Sequence, residues 1–172
     1  MFEYILFCSI TCVMIILGGI SFLVILDVFN FKKRPKQWRI LTKVVLTTSG
    51  VLIVVGTLIL WLTDGFKGAN SMSILDCLFE SVSSRTAGFV TYSQDNISTI
   101  GKIFTCFLML TGGSPLSTAG GIKTTTIFML ALSMFCYFSS KKVKAFKRSF
   151  STTLIAKAMS LMFLALCTIL FA

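Results

Sequence analysis

Two glycine-containing segments hold the residues of this sequence that could act on a ligand. Residues 111–126 read TGGSPLSTAGGIKTTT, and residues 83–89 read SSRTAGF. Glycine allows backbone conformations that a Cβ disfavours, so both segments can turn sharply and present backbone carbonyl groups. Carbonyl oxygens can replace the hydration shell of a cation. The chemistry that these residues favour is therefore coordination of an ion by main-chain atoms.

Several other chemistries lack the residues that they need. The sequence has no histidine, and its six cysteines are scattered without a CxxC spacing, which favours apolar packing over a disulfide or metal framework. A phosphate-binding loop needs Gly-Lys-Ser/Thr in succession, but Ile122 separates Gly121 from Lys123. A GxGxxG dinucleotide fingerprint is also absent. We therefore expect neither an enzyme nor a covalently bound cofactor.

The composition predicts an integral membrane protein. Of the 172 residues, 55% are hydrophobic and only 13% are charged, and the mean hydropathy is +0.91. A soluble domain of this size could not bury so much apolar surface. The net charge of +10 comes from basic residues grouped in two blocks between apolar stretches. These blocks therefore predict a membrane topology, with the lipid bilayer as partner, and not nucleic-acid binding.

The charge pattern also predicts which loops face the cytoplasm. Apolar stretches of spanning length occupy residues 4–26, 44–63, 103–140 and 149–172, and the basic blocks fall in the loops at 30–43 and 141–148. Cytoplasmic loops carry an excess of Lys and Arg, so both blocks should be cytoplasmic and the mixed-charge residues 64–102 should be external.

The stretch 103–140 must then cross the membrane once, because two crossings would place the basic blocks on opposite sides. An unbroken helix of this length would be about 57 Å long, nearly twice a hydrocarbon core of about 30 Å. The glycine-rich segment 111–126 is thus predicted to break one long traverse at membrane depth. Irregular backbone is tolerated there only inside protein or beside a water-filled cavity, which indicates a pore or transport pathway.

A short helix is predicted ahead of the SSRTAGF turn. Ser73 and Asp76 have the spacing of a capping box, and apolar residues at helical spacing continue to Ser83–Ser84. A helix of about three turns cannot span the membrane. It could enter from outside as the first half of a re-entrant pore loop, or lie on the surface as an amphipathic helix. The pattern alone leaves both readings open.

Together, SVSSRTAGF at residues 81–89 and GGSPLSTAGGIKTTT at 112–126 resemble the Trk/Ktr/HKT superfamily of potassium transporters, and ILGGISFLVILD at 16–27 adds to the resemblance. It implies an all-α integral membrane fold of M1–pore loop–M2 repeats, similar to potassium channels, with a broken M2 helix. The chain would be a partial copy of the four-repeat fold. The basic segment KKVKAFKRSFSTTLIAKAMSL at 141–161 favours the Ktr branch of the superfamily.

The resemblance also assigns each segment a place in the four-repeat fold. Residues 1–29 would be the M2 helix of the second repeat, followed by a basic cytoplasmic loop at 30–43. Residues 44–140 would form the third repeat with a gating loop at 111–126. A second basic loop would occupy 141–148, and residues 149–172 would begin the fourth repeat as a truncated helix.

Site residues follow from the same resemblance. Main-chain carbonyls of four residues would form one quarter of a selectivity filter for K⁺, with a single glycine in the filter turn; these are Thr86, Ala87, Gly88 and Phe89. The gating loop would obstruct the pore below them through Gly112, Gly113, Ser114, Pro115, Ser117, Thr118, Gly120, Gly121 and Lys123. The family often has glycine where this chain has Leu116, and leucine makes the loop bulkier.

Three polar or small-residue features have more than one interpretation. Arg85 is expected to support the filter turn, paired with Glu80. Lys123 could place a positive barrier on the ion path, or snorkel or pair with another repeat. Gly18–Gly19 is predicted to be a helix-packing site.

The resemblance implies that the chain belongs to the ion-translocating subunit of a K⁺ uptake system in the plasma membrane, multi-pass and typical of the bacterial cell membrane. K⁺ would be the substrate, with Na⁺ as a candidate coupling ion. Partners would be a cytoplasmic nucleotide-binding regulatory ring and a second copy of the membrane subunit. We expect the chain to be an internal fragment or truncated reading frame of such a subunit. The alternative is a truncated, non-conducting membrane fragment that acts in interaction or assembly.

Overall fold

The described part of the chain is almost entirely helical. The computed structural model describes residues 2–30, 38–65, 72–85, 87–138, 144–145, 148–149 and 152–171. Its longest helix is α3, Ile40–Asp64, an apolar run of 25 residues. Within the described residues, α3 alone is both long and apolar enough to cross a membrane as a single straight helix.

The first predicted membrane helix, residues 1–29, is divided in two. Helix α1 covers Phe2–Gly19 and helix α2 covers Phe22–Asn30, with a bend of 98° between them. Two successive glycines weaken the helix at this point. Ser21 then starts α2, because its carbonyl accepts from the Val24 amide at 2.9 Å and its hydroxyl from the Leu23 amide at 3.3 Å. The expectation of one continuous helix is corrected to a sharply broken pair.

The short helix predicted ahead of the SSRTAGF turn is present as α4, Ile74–Ser83. Ser73 is its N-cap, and the Ser73 amide donates to Asp76 Oδ2 at 3.2 Å. The helix packs against α3 and α1, and most of its second half is buried. Phe79 and Val82 meet Cys8 and Cys12 of α1 in one core cluster. Burial on several sides identifies α4 as an internal helix and not as a surface helix.

Cysteine serves as a packing residue, as predicted. Cys8 and Cys12 belong to the core cluster between α1 and α4, and Cys77 belongs to a second cluster with Leu60 and Ile97. All six cysteines are free thiols.

The stretch predicted as one broken traverse contains two helices. Helix α5 covers Thr99–Leu110 and helix α6 covers Thr124–Phe138, so that residues 111–123 interrupt the run. Asp64 at the end of α3 fixes the start of α5, because Ser98 donates its amide to Asp64 Oδ1 at 2.7 Å and its hydroxyl to Oδ2 at 2.9 Å. The Met72 amide also donates to the Asp64 carbonyl, at 3.2 Å. Helices α4 and α5 therefore both begin at the same end of α3.

The opposite end of α3 is tied to α2. Asp27 is buried, accepts from the Thr42 hydroxyl at 2.6 Å, and lies 3.5 Å from Arg39 Nε. Beyond α6 comes a minimal antiparallel pair, β1 Lys144–Ala145 with β2 Arg148–Ser149, in which Lys144 is opposite Ser149. Helix α7, Thr152–Phe171, then packs back against α6.

Candidate functional site

The turn after α4 is held by Ser83. The Ser83 carbonyl accepts from the amides of Ala87 and Gly88, at 2.9 and 3.0 Å. The Ser83 hydroxyl donates to the Phe89 carbonyl at 2.6 Å. The last residue of the helix thus fixes the backbone on both sides of Gly88. Of the residues assigned to the filter turn, Thr86 lies outside the described residues.

Gly88 has a φ of +71°. Residues with a Cβ rarely adopt this left-handed conformation, so the turn itself favours glycine here. A Cβ added to Gly88 would meet no atom of this chain within 4 Å. Within this chain, backbone conformation is therefore the reason for glycine, and steric crowding is not.

Of the segment 111–126, residues 111–123 form a loop whose two ends are joined, and Thr124 begins α6. The Gly112 amide donates to the Ile122 carbonyl at 2.8 Å, and the Ile122 amide to the Leu110 carbonyl at 3.1 Å. A third bond runs from the Thr124 amide to the Gly113 carbonyl, at 3.0 Å. A Cβ on Gly112 would overlap the Gly120 carbonyl. The two sides of the loop, at Gly112 and Gly120, therefore approach closely only because residue 112 is glycine. The break between α5 and α6 is therefore an ordered closed loop.

Side chains within the loop also bond its own backbone. The Ser117 hydroxyl donates to the Ser114 carbonyl at 2.7 Å, and Lys123 Nζ donates to the Ala119 carbonyl at 2.6 Å. Pro115 and Leu116 form the tip. Leu116 has a φ of +64° and is 72% exposed. Leucine in left-handed backbone is strained, and this conformation is the one in which glycine would be favoured.

The loop is hydrogen-bonded to the break between α1 and α2. Ser114 donates both its amide and its hydroxyl to the Gly19 carbonyl, at 3.1 and 3.0 Å. The Thr118 hydroxyl donates to the Gly18 carbonyl at 3.1 Å. These carbonyls are available because α1 ends at Gly19. We call this set of three hydrogen bonds the latch.

Sequence reasoning predicted that hydroxyls of the loop could hold it to neighbouring helices, but it did not predict that Gly18 and Gly19 would accept these bonds. It assigned Gly18–Gly19 to helix packing, whereas here the two residues offer carbonyls to the loop. The signal that could have found it was the pair of glycines followed by Ser21, which together predict a helix end and a new start.

The loop lies at mid-depth along α3. Gly112 and Gly113 share a small cavity with Ser49 and Arg85, and Ser49 is well inside Ile40–Asp64, away from either end. This position agrees with the predicted break within the traverse. It also brings Arg85, at the base of the SSRTAGF turn, next to the loop.

Arg85 does not pair with Glu80. Glu80 instead accepts from Gln94 Nε2 at 2.7 Å, and Arg85 Nε is buried without a hydrogen-bond partner among the described residues. The expected ion pair is therefore wrong. The two side chains serve different neighbours, because Glu80 holds the short 3₁₀ turn at Gln94–Asn96 while Arg85 faces the loop.

The SSRTAGF turn and the loop line one cavity. Its volume is about 390 Å³, and its walls include Ala87, Phe89, Gly18, Thr118 and Ala119. The structure therefore places Ala87 and Phe89 beside part of the loop, and residues of α1 form another wall of the same cavity.

Lys123 lies elsewhere. It lines a separate cavity of about 580 Å³ that also contacts Leu161 and Thr168 of α7. Among the described residues, Lys123 is thus not part of the wall that the turn and loop share.

Comparison with known protein families decides the affiliation of the chain. A family model described as TrkH, cation transport protein, matches residues 1–172. The chain belongs to the TrkH family. This is a family of membrane transport subunits and not of enzymes.

Several characterised proteins are similar to this TrkH-family chain. The potassium/sodium uptake protein NtpJ of Enterococcus hirae is 34% identical over 164 residues, which are 91% of this chain and 36% of NtpJ. The Ktr system potassium uptake protein D of Bacillus subtilis is 32% identical over 91% of this chain and 37% of its own length. The chain thus spans about a third of these relatives.

The fold agrees with a solved transporter. The crystal structure of the potassium transporter TrkH from Vibrio parahaemolyticus superposes with a TM-score of 0.66, over 90% of this chain and 35% of TrkH. Sequence identity in this match is 20%, so it supports the all-α membrane-transporter fold alone.

Proposed function

We propose that this chain is part of a multi-pass subunit that takes up K⁺ across a bacterial plasma membrane. In this proposal the turn after α4 supplies one part of a selectivity filter, and the loop at residues 111–126 is an intramembrane gate. One observation carries the proposal. The loop is latched to the α1–α2 break, and the turn and the loop face the same cavity of about 390 Å³. The names of the relatives, which are potassium and potassium/sodium uptake proteins, support K⁺ as the substrate.

The filter role rests on which carbonyls remain available. The carbonyls of Ala87 and Gly88 take no part in the hydrogen bonds that hold the turn. They can therefore face a dehydrated cation. The Phe89 carbonyl already accepts from Ser83, so it contributes more to the scaffold than to ion coordination. Thr86 is included in the proposed filter because it directly precedes Ala87 in the sequence.

The gate role rests on the weakness of the latch. Each intramolecular hydrogen bond contributes about 0.5–1.5 kcal/mol net, so a few such bonds can hold a closed loop without locking it. The glycines at both ends of the loop allow a second backbone arrangement. Opening would break the bonds to Gly18 and Gly19 and carry Thr118 away from the cavity.

The remaining elements of the mechanism belong to the longer protein. A single turn cannot surround an ion, so the other parts of the filter would come from the rest of the subunit. We propose a homodimer of that subunit and a cytoplasmic nucleotide-binding ring as partners, with the basic loops at 30–43 and 141–148 as docking faces. The Ktr relatives are named as parts of systems, which supports such an assembly. K⁺ passes as substrate, and Na⁺ is the candidate coupling ion.

Substitution of Gly88 in the full-length protein tests the filter. We expect the parent to restore K⁺ uptake in a bacterial strain that lacks its own K⁺ transporters. Gly88→Ser should lower the preference for K⁺ over Na⁺ about three- to tenfold, because left-handed backbone costs a residue with a Cβ about 1–2 kcal/mol and the turn relaxes away from it. The measurement is initial uptake of each ion, normalised to protein in the membrane.

Gly88→Asn is the matched control. Asparagine tolerates left-handed backbone better than serine, so its loss of selectivity should be smaller. Unchanged selectivity in Gly88→Ser would remove Gly88 from the filter. A full-length parent that inserts normally but supports no uptake would contradict the role in K⁺ uptake. Absence of uptake from residues 1–172 expressed alone, with normal insertion, would be the result expected of the non-conducting fragment.

A further inference from the structure

A small cavity with both polar and apolar walls lies between the SSRTAGF turn and the loop. Its volume is about 20 Å³, and Arg85, Ser49, Gly112, Gly113 and Gly19 line it together with three isoleucines. One water molecule needs about 10–15 Å³ of such space and two to four polar partners. The cavity therefore has the size for one water and is too small for a hydrated ion.

Arg85 supplies a donor that the described residues leave unpaired. Its Nε is buried and has no hydrogen-bond partner among the described residues. A buried donor without a partner costs about 1–3 kcal/mol, and more when it is charged. Glu80 does not supply the acceptor for Arg85 Nε, because Glu80 Oε1 accepts from Gln94 Nε2 and Glu80 Oε2 is itself buried without a hydrogen-bond partner among the described residues. The side chain therefore needs an acceptor from another source, and the cavity lies beside it.

The opposite wall provides the remaining polar groups. Gly112 and Gly113 are buried, yet the Gly112 carbonyl and the Gly113 amide are not used in the bonds that close the loop. Buried backbone groups are nearly always paired with protein or with ordered water. The Ser49 hydroxyl lines the same space. A donor from Arg85, a donor and an acceptor from the loop backbone, and a hydroxyl match what one water can bind.

We propose that this cavity is a binding site for a single structural water that joins Arg85 and Ser49 to the Gly112–Gly113 backbone. The water accepts from Arg85 Nε and from the Gly113 amide, and it donates to the Gly112 carbonyl. It thereby couples the filter turn to the gate in the closed arrangement, a role that rests on the proposed function. Arg85 acts here as a positioning residue, since it holds the loop through the water and touches no transported ion.

A density map of the full-length protein in the closed state tests the site directly. We expect one isolated peak within hydrogen-bond distance of Arg85 Nε and of the Gly112–Gly113 backbone. A map of sufficient detail to show other ordered waters, but without a peak in this cavity, overturns the proposal. The map does not depend on transport, so its outcome is separate from that of the Gly88 experiment.

Ser49→Val tests the coupling. Valine fills the cavity and removes the hydroxyl, so the closed loop loses its water. We expect K⁺ uptake without an activating signal to rise at least threefold, with an unchanged K⁺ concentration for half-maximal uptake. That split distinguishes a shift in gating from damage to ion binding. A fall in uptake with an unchanged amount of inserted protein would contradict the coupling.

Thr48→Val is the matched control. Thr48 precedes Ser49 on α3, its hydroxyl is also buried without a hydrogen-bond partner in the described part of the chain, and it does not line the cavity. Its replacement should leave uptake unchanged. Arg85→Lys in the Ser49→Val background should add little to either single change, because both act through one water. Fully additive effects would overturn the shared-water site.

Discussion

At the scale of single residues, Leu116 carries the clearest strain in the loop. Its φ of +64° lies in the left-handed region, and its exposed side chain gains little from packing within the chain. We expect Leu116→Gly to stabilise the closed loop by about 0.5–1 kcal/mol. Glycine removes the strain of a side chain in left-handed backbone, but part of this gain is lost because glycine gives up more conformational freedom when the loop closes. K⁺ uptake without an activating signal should therefore fall about two- to fivefold. The measurement is the amount of K⁺ taken up by cells at successive times.

Leu116→Val provides the opposite change at the same position. A β-branched residue tolerates positive φ less well than leucine, so the closed loop should weaken and uptake should rise. If glycine and valine shifted uptake in the same direction, backbone strain at Leu116 would not be what sets the loop equilibrium.

At the scale of elements, the proposed gate depends on the latch between the loop and the α1–α2 break. Thr118→Val removes the hydroxyl that donates to Gly18 and nearly keeps the side-chain volume. A net loss of about 1 kcal/mol corresponds to about a fivefold shift towards the open loop. We therefore expect about fivefold higher K⁺ uptake from Thr118→Val in the full-length protein, measured at equal amounts of inserted protein.

Thr57→Val is a suitable control for the latch. The Thr57 hydroxyl donates to the Ile53 carbonyl of its own helix, at 2.8 Å, and takes no part in the three hydrogen bonds of the latch. The same chemical change there should leave uptake near the parent value. Equal rises in both variants would indicate a general loosening of the protein and would remove the latch as the cause.

The elements also show what the sequence could and could not predict. Apolar length and the Ser73–Asp76 cap located α3 and α4, and the run of glycines located the break between α5 and α6, because these signals are local. The α1–α2 break was missed, since its glycines lie in an apolar run that otherwise reads as one helix. The loop hydroxyls were expected to bond neighbouring helices, but their acceptors at Gly18 and Gly19 and the surroundings of Arg85 were missed, because they depend on contacts between residues far apart in the chain. Local sequence patterns predict the secondary-structure elements, whereas tertiary packing determines which polar groups form hydrogen bonds with one another.

At the scale of the whole molecule, one question is on which sides of the membrane the connecting segments lie. Helices α4 and α5 both start at the Asp64 end of α3, and Asp27 and Arg39 meet at its other end. The charge pattern predicts that the first end is external and the second cytoplasmic. We expect a single broken traverse through α5 and α6 to return the chain to the cytoplasmic side before α7.

Cysteine labelling of intact cells tests this topology. Asp95 is exposed in the 3₁₀ turn at Gln94–Asn96, so Asp95→Cys should react with a membrane-impermeant maleimide from outside. Lys142→Cys, in the second basic loop, should react only after the cells are permeabilised, and the parent protein gives the background from its native thiols. Labelling of both variants in intact cells would mean that residues 103–140 do not cross the membrane as one broken traverse. The loop would then lie at a surface, where water satisfies irregular backbone without cost, and its closed hydrogen-bonded form would no longer point to a gate. The labelling pattern therefore decides whether the depth on which the gate depends is real.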